Sequence, residues 1–281
     1  MNAMPVAAKR ANGAEPASRQ APSQIAGRGI VVDFVLDGHR QRVLEDININ
    51  VPKGSLVSLI GPSGCGKSTL LKVMAGLVIP TKGTIAVDGM APQEAAKKRV
   101  IGLVFQEATL LPWKNALENA AFLLMTADET VSKSQAYGRA ADMLKLVSLE
   151  DAERKMPSQL SGGMGQRVAI ARALALDPQV LLMDEPFGAL DAITREEMSR
   201  CLLEIWERTG KTIVLVTHSI DEAVFLSGEV HVMGTGPARI IETLPINIPQ
   251  PRTEDAYSEP VFKAAQKRLR GLLIESHRRP V

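Results

Sequence analysis

The segment GPSGCGKST, from Gly61 to Thr69, constrains this chain more than any other stretch. It has the G-x-x-x-x-G-K-[ST] spacing, and it lies between the apolar run LVSLI and the helical pattern KSTLLKVMAGL. In that context glycines let the backbone approach phosphate oxygens, and successive N–H groups point into one concavity. We therefore predict a phosphate-binding loop made of Gly61, Pro62, Ser63, Gly64, Cys65, Gly66, Lys67, Ser68 and Thr69.

Three polar residues of this loop have predicted roles, with ATP and Mg²⁺ as the cofactors. Lys67 supplies a point charge for the β- and γ-phosphates, Ser68 offers a hydroxyl to Mg²⁺, and Thr69 can meet the α-phosphate. Two interpretations of Cys65 stay open. The helix start can activate it as a regulatory thiol, or the position simply takes a small residue.

Short apolar runs alternate with helical patterns through most of the chain. GIVVDFVLDG and LEDININVPKGSLVSLIG read as strands with tight turns, and residues 117–149 read as mostly helical. RVIGLVFQE, QVLLMDEP and KTIVLVTHS are near-continuous apolar runs, which is typical of strands buried on both faces. This alternation predicts an α/β protein with a largely parallel sheet.

Polar residues follow three of these strands. Asp184 and Glu185 come after VLLM, His218 ends VLVTH, and Gln106 follows GLVF. In doubly wound sheets ligands bind at the carboxyl ends of strands. We predict Glu185, His218 and Gln106 as catalytic residues that act on the attacking water. Ser68, Gln106 and Asp184 are the predicted metal ligands. The alternatives are a solvated acidic turn and a surface or core histidine.

A second glycine-rich segment, QLSGGMGQRVAIARAL, spans Gln159–Leu174. A serine and a glycine pair precede an apolar-periodic helix, which is how a phosphate-binding helix begins. One domain would then carry two phosphate-binding loops, and the residues alone do not explain why.

Composition excludes several classes of protein. A net charge of +2 over 281 residues is too balanced for a nucleic-acid-binding surface. The two cysteines make neither a metal spacing nor a disulfide framework, which favours a reducing compartment. No apolar run reaches the ~20 residues needed to cross a bilayer. Residues 1–27 are predicted to be a disordered tail, and residues 251–281 a linker with one polar helix.

The order GPSGCGKST, VFQ, LSGGMGQR, VLLMDEPFGALD, VTHS resembles the nucleotide-binding domain of ABC transporters, over roughly Ile30 to Arg252. The resemblance implies an α/β P-loop NTPase core with a mainly parallel sheet. It also implies an N-terminal antiparallel β subdomain and an inserted helical subdomain, about residues 107–165, within a domain spanning 28–250.

The same resemblance implies a reason for the second loop. In this family two domains pack head to tail, so that Ser161, Gly162 and Gly163 would cap the γ-phosphate bound by the partner copy. Asp191 matches a loop that crosses the same interface. Phe34 is the candidate for stacking on adenine, although a strand aromatic is also a common core residue. The implied partners are a second nucleotide-binding subunit, transmembrane permease subunits and, indirectly, a solute-binding protein. The implied location is peripheral, at the cytoplasmic face of the inner membrane.

Two further segments resemble the importer group for nitrate, sulfonates and taurine. One is Met164 in the LSGG segment, and the other is LLPW, Leu110–Trp113, a candidate permease-docking surface or ordinary packing. Gly165 departs from the long polar residue of that group. We expect the ATP-hydrolysing subunit of such an importer. The alternatives are a non-transport ATPase of the same superfamily acting in DNA repair or translation, an exporter subunit, and a P-loop kinase.

Overall fold

The computed structural model describes residues 22–36, 38–250 and 252–278. Within these ranges the strands are β1 (Ser23–Leu36), β2 (His39–Pro52), β3 (Leu56–Ile60), β4 (Lys82–Val87), β5 (Ile101–Val104), β6 (Val180–Asp184), β7 (Thr212–Val216), β8 (Glu229–Met233) and β9 (Ile240–Pro245). The α-helices there are α1 (Lys67–Met74), α2 (Pro92–Lys97), α3 (Ala116–Ala127), α4 (Lys133–Leu146), α5 (Gly162–Leu174), α6 (Ala192–Thr209), α7 (Ile220–Leu226) and α8 (Pro260–Arg278).

A central sheet has the strand order β5-β6-β7-β3-β8-β9, and all its pairs are parallel except β8 with β9. Every residue of β3 and β7 is buried, as their continuous apolar sequences require when both faces are covered. Because the strands are parallel, β3, β5, β6 and β7 end at the same edge. The predicted phosphate loop, Gln106, Asp184 and His218 therefore lie at that edge.

A smaller antiparallel sheet, ordered β2-β1-β4, packs beside the central sheet and confirms the predicted N-terminal β subdomain. The disordered tail predicted for residues 1–27 extends too far along the chain, because β1 begins at Ser23. Ile25 is fully buried and lies opposite Val51 on β2 and Val87 on β4. These long-range pairings order residues 23–27, whose own composition resembles that of a loop. Residues 1–21 lie outside the described part of the chain.

The proposed helical subdomain contains α3, α4 and the start of α5. Asn115 with Glu118, and Ser132 with Gln135, form capping boxes that begin α3 and α4. The polar stretch 128–132 separates these two helices within the segment that the sequence predicts as mostly helical. The exact domain boundaries stay a prediction.

The C-terminal segment contains the predicted helix, α8, but one face of that helix is apolar. Phe262, Leu269 and Leu272 of α8 are buried against the central core. Tyr257 stacks on Phe225 of α7 with ring centroids 5.0 Å apart. An amphipathic stripe, which a count of charges does not reveal, therefore joins α8 to the domain.

Arg252 anchors this segment. The residue is 5% exposed, and its guanidinium donates hydrogen bonds to five backbone carbonyls. Three of these carbonyls lie at the end of α7, on Val224, Phe225 and Ser227, at 2.6–3.0 Å. Burial lowers the pKa of Arg252 to about 10, which leaves it charged at neutral pH.

Replacing Arg252 by alanine is expected to lower the free energy of unfolding by about 3 kcal/mol, because several buried carbonyls lose their donors. Thermal or urea unfolding measures this change. Arg268→Ala is the matched control, because Arg268 makes an exposed ion pair with Glu242 at 2.6 Å. The control should change stability by less than about 1 kcal/mol. Equal losses in the two variants would contradict the anchoring role of Arg252.

Candidate functional site

The phosphate loop joins the end of β3 to the start of α1, and two of its glycines are sterically required. Gly66 has φ +98°, and a Cβ there would lie 2.9 Å from Leu44 Cδ2. A Cβ on Gly61 would lie 2.6 Å from the carbonyl oxygen of Met233. The Lys67 ammonium donates to the carbonyls of Gly61 and Pro62, at 2.9 and 3.0 Å. The lysine is thereby held inside the loop.

Two predicted metal ligands lie together beside this loop. The Ser68 hydroxyl donates to Asp184 Oδ1 at 2.8 Å, although the residues are 116 positions apart. Burial raises the pKa of the Asp184 carboxyl, and the Ser68 hydrogen bond opposes that effect. A hydroxyl and a carboxylate are hard oxygen donors. Mg²⁺ commonly takes one or two such protein ligands and completes its shell with waters and phosphates. The donor set therefore fits magnesium.

The three predicted catalytic residues converge next to Asp184. His218 Nδ1 and Glu185 Oε2 are 3.1 Å apart. A Cβ placed on Gly188 would lie 3.5 Å from both Gln106 Nε2 and His218 Cε1. The structure thus brings together side chains from the ends of β5, β6 and β7. Their catalytic roles stay predictions.

The backbone of Glu185 is strained. Its φ is +45°, a conformation that costs a non-glycine residue about 1–2 kcal/mol, and its amide donates to Val216 on β7 at 2.9 Å. Such strain persists where the surroundings fix it, and it concentrates at functional sites.

The LSGG segment forms a separate, exposed helix start. Ser161 is the N-cap of α5, and its hydroxyl accepts a hydrogen bond from the Met164 amide at 3.2 Å. A Cβ on Gly163 would lie 2.6 Å from Thr194 Cγ2, so a glycine lets α5 approach α6. Asp191 caps α6 by accepting from the Thr194 amide at 3.1 Å, and hydrogen bonds from Thr194 lower the pKa of Asp191. Among the described residues, no hydrogen bond joins Ser161 to the phosphate loop of the same copy.

A cleft of about 390 Å³ separates the LSGG helix from the segment after Gln106 and from the loop 186–190. Gly165 lines this cleft, and a Cβ there would meet only Ala108 and Leu110, at 3.8 and 3.9 Å. Packing therefore does not require glycine at 165, and nothing in the structure explains it functionally. Gln166 and Arg172, which sequence reasoning missed, reach across to the segment 105–109. Gln166 Nε2 donates to the Phe105 carbonyl at 3.0 Å, and Arg172 Nη2 donates to the Ala108 carbonyl at 2.8 Å.

Trp113 is 70% exposed, which excludes the interpretation that it is ordinary packing. Side-chain hydrogen bonds hold the turn that presents it. The buried Asn119 side chain accepts from the Leu111 amide at 2.8 Å and donates to the carbonyl of Lys114 at 2.8 Å. The sequence hypothesis of a docking surface stays a proposal that this geometry supports.

Phe34 is 38% exposed on β1, two positions beyond Val32 and just after a register shift between Val32 and Asp33. Val32 pairs with Leu44, the residue that contacts Gly66 of the phosphate loop. This placement fits an adenine-stacking role, which stays a prediction.

Cys65 is buried, with 4% of its surface exposed, and burial raises the pKa of its thiol. Its thiolate fraction at pH 7 is therefore lower than that of a free cysteine, which favours the small-residue interpretation over a regulatory thiol.

We expect native Cys65 to react slowly with iodoacetamide at pH 7, with or without ATP, and Cys65→Ala to keep ATPase activity within about twofold. Mass spectrometry of the labelled peptide and a phosphate-release assay measure these effects. The denatured protein is the positive control. Rapid labelling that ATP blocks would restore the regulatory interpretation.

In the parts of the chain that the structure describes, no helix is long and apolar enough to span a bilayer. Across the same residues, no group of three or more His, Cys, Asp or Glu side chains could hold a metal by themselves. A magnesium ion here would thus depend on phosphate and water oxygens as well as on protein ligands.

Known proteins share this arrangement. The taurine import ATP-binding protein TauB of Pseudomonas aeruginosa PAO1 is 44% identical over 225 residues, which cover 80% of this chain and 84% of that protein. TauB of Escherichia coli K12 is 50% identical over 204 residues, covering 73% and 78%. The nitrate import ATP-binding protein NrtD of Synechococcus elongatus is 48% identical over 217 residues, covering 77% and 78%.

Solved structures agree. The dimeric, post-hydrolysis ATP-binding cassette MJ0796, bound to ADP and Pi, has a TM-score of 0.71 at 33% identity, covering 80% of this chain and 99% of that one. CbiO1 from Clostridium perfringens, part of the ABC transporter complex cbiONQ, has a TM-score of 0.72 at 25% identity, covering 91% and 99%. The family model described as "ABC transporter" matches residues 44–188, from the strand beside the phosphate loop to the glycine beside His218. The chain belongs to the ABC transporter family of ATP-binding proteins.

Proposed function

We propose that this protein is the ATP-hydrolysing subunit of an ABC importer for a small anion, with sulfonates such as taurine and inorganic nitrate as the first candidates. The observation that carries the proposal is the convergence of Glu185, His218 and Gln106 beside the Ser68–Asp184 pair. That geometry belongs to a nucleotide hydrolase. The solute class rests on the names of the curated relatives, which are taurine and nitrate import proteins.

Each ATP is shared between two copies of the subunit. The loop Gly61–Thr69 of one copy holds the phosphates, and the helix start Ser161–Gly163 of the other copy caps the γ-phosphate with its amides. The exposure of Ser161 and Gly162 supports this arrangement, as does the dimer formed by the related cassette MJ0796.

The chain's own residues have separate tasks in hydrolysis. Lys67 neutralises charge on the β- and γ-phosphates, and Phe34 stacks on the adenine. Glu185 accepts a proton from the attacking water, while His218 holds the Glu185 carboxylate and Gln106 orients the water. Mg²⁺, held by Ser68, Asp184 and Gln106 when bound, neutralises the phosphate charge that develops.

Dimer closure moves the helical subdomain, and the exposed Trp113 transmits that movement to a transmembrane permease. ATP drives closure because it contacts both copies only in the closed state. The subunit is peripheral, at the cytoplasmic face of the inner membrane, and a solute-binding protein completes the system.

Uptake of a labelled panel of taurine, an alkanesulfonate, nitrate and an uncharged sugar tests the solute class. Cells that lack this subunit should lose uptake of one of the anions and regain it with the wild-type gene but not with Glu185→Gln. A tagged subunit should also copurify with a multi-spanning membrane protein. Loss of sugar uptake alone would refute the anion assignment.

A further inference from the structure

Two loops of the site lie on either side of an ion pair, between a half-buried arginine and a buried glutamate, that catalysis does not use directly. One loop runs from Pro186 to Asp191 and lies against the LSGG helix start. The other is the turn after β7, which carries His218. The ion pair between them is formed by Arg195 on α6 and Glu222 on α7, with Arg195 Nε 3.4 Å from Glu222 Oε1.

Glu222 fixes the turn that contains His218. The residue is 6% exposed, and its Oε2 accepts a hydrogen bond from the Thr217 hydroxyl at 2.6 Å. The Thr217 hydroxyl oxygen in turn accepts from the Ser219 amide at 3.0 Å. The two neighbours of His218 in sequence are therefore linked to one buried carboxylate.

Arg195 fixes the other loop. Its Nη2 donates to the Leu190 carbonyl at 2.8 Å, and its Nε lies 3.4 Å from the Phe187 carbonyl. The guanidinium thus contacts both the loop 186–191 and the Glu222 carboxylate. A planar donor group can hold two acceptors in a fixed relative geometry, which an ammonium does less well.

Burial and its hydrogen-bonding and charged partners act in opposite directions on the Glu222 carboxyl. Burial raises the pKa of Glu222, whereas the Thr217 hydrogen bond and the Arg195 charge lower it. Removing Arg195 leaves the buried Glu222 carboxylate without its partner charge. The position of one loop then affects the position of the other.

We propose that Arg195 and Glu222 are positioning residues that couple the loop 186–191 to His218. His218 then holds Glu185 only when that loop is seated against the partner copy. The inference rests on the proposed function, because it assigns a control to the same hydrolytic site. It predicts that nucleotide capture and turnover can be separated by changes at residues that touch neither nucleotide nor water.

The test is a double-mutant cycle on the full-length chain, measuring kcat and KM for ATP, equilibrium ATP binding and thermal unfolding. Arg195→Ala and Glu222→Ala should each lower kcat about tenfold, with KM changed less than about twofold. The double variant should be no slower than the slower single variant, because both singles break one link. Arg268→Ala, which breaks the exposed ion pair with Glu242, is the matched control and should leave kcat unchanged.

Conservative variants keep the test decisive if the alanine variants unfold. Glu222→Gln keeps an acceptor for Thr217 but loses the charge, so kcat should fall less than in Glu222→Ala. Arg195→Lys keeps the positive charge but loses the planar guanidinium, so its kcat should stay as low as that of Arg195→Ala. The coupling would be overturned if either single variant kept the wild-type kcat. It would also be overturned if the fold-loss of kcat in the double variant equalled the product of the two single losses. A wild-type protein without any ATPase activity would instead overturn the proposed function.

Discussion

Glu185→Gln is expected to bind Mg-ATP normally and to lower kcat by about a thousandfold, which lies within the range for loss of a general base. Glutamine preserves the size of the side chain and its contact with His218, 3.1 Å away in the wild type, but it accepts protons poorly. The γ-phosphate then stays in place and keeps joining the two copies. The variant should accumulate as an ATP-bound dimer.

Phosphate release under saturating ATP measures the loss, and gel filtration with and without ATP measures the dimer. Glu94→Gln is the matched control, because Glu94 is 54% exposed in a surface ion pair with Lys98. The control should hydrolyse ATP normally and dimerise only transiently. Normal turnover by Glu185→Gln would show that another group activates the water.

Ser161→Arg is expected to spare ATP binding and to abolish turnover, with kcat reduced a hundredfold or more, roughly the cost of removing transition-state donors. A long cation at this helix start blocks the surface that faces the partner's γ-phosphate. Loss of the N-cap costs about 1 kcal/mol of stability, which does not unfold a domain of this size. Ser132→Arg removes the same kind of cap from α4, away from the site, and is the control for that loss.

Mixing the two inactive variants gives a sharper result. A dimer of Ser161→Arg with Glu185→Gln contains one intact composite site, made of the first copy's Glu185 and the second copy's Ser161. Half of the randomly formed dimers are mixed and each has one working site of two, so about a quarter of wild-type activity should return. Activity that stays absent in the mixture would contradict the sharing of each ATP between two copies.

Local sequence was sufficient for the parts of this site that short segments encode. The phosphate loop, the strand-end residues Asp184 and Glu185, and the parallel sheet all follow from spacing and apolar runs, and the fold class is confirmed. The positive φ of Glu185 was not predictable, because the Val216 carbonyl that fixes it belongs to a strand thirty positions away. Propensity alone would not place a glutamate there.

Long-range contacts made by ordinary residue types account for the other omissions. The roles of Gln166, Arg172 and Glu222 arise from partners 61, 64 and 27 positions away, which only the fold brings near. The burial of Cys65 has the same origin. The tail boundary was wrong because β1 gains its hydrogen bonds from two distant strands, not from its own composition.

Arg252 makes the helix that follows His218 depend on residues that the ribosome adds later. The ribosome completes the phosphate loop and the LSGG helix first, and segments of a chain begin to fold as they emerge. The carbonyls at the end of the helix that follows His218 accept hydrogen bonds from Arg252, and Phe225 of that helix stacks on Tyr257. A nascent chain therefore completes the phosphate loop and the LSGG helix before it can satisfy the carbonyls at the end of the helix that follows His218.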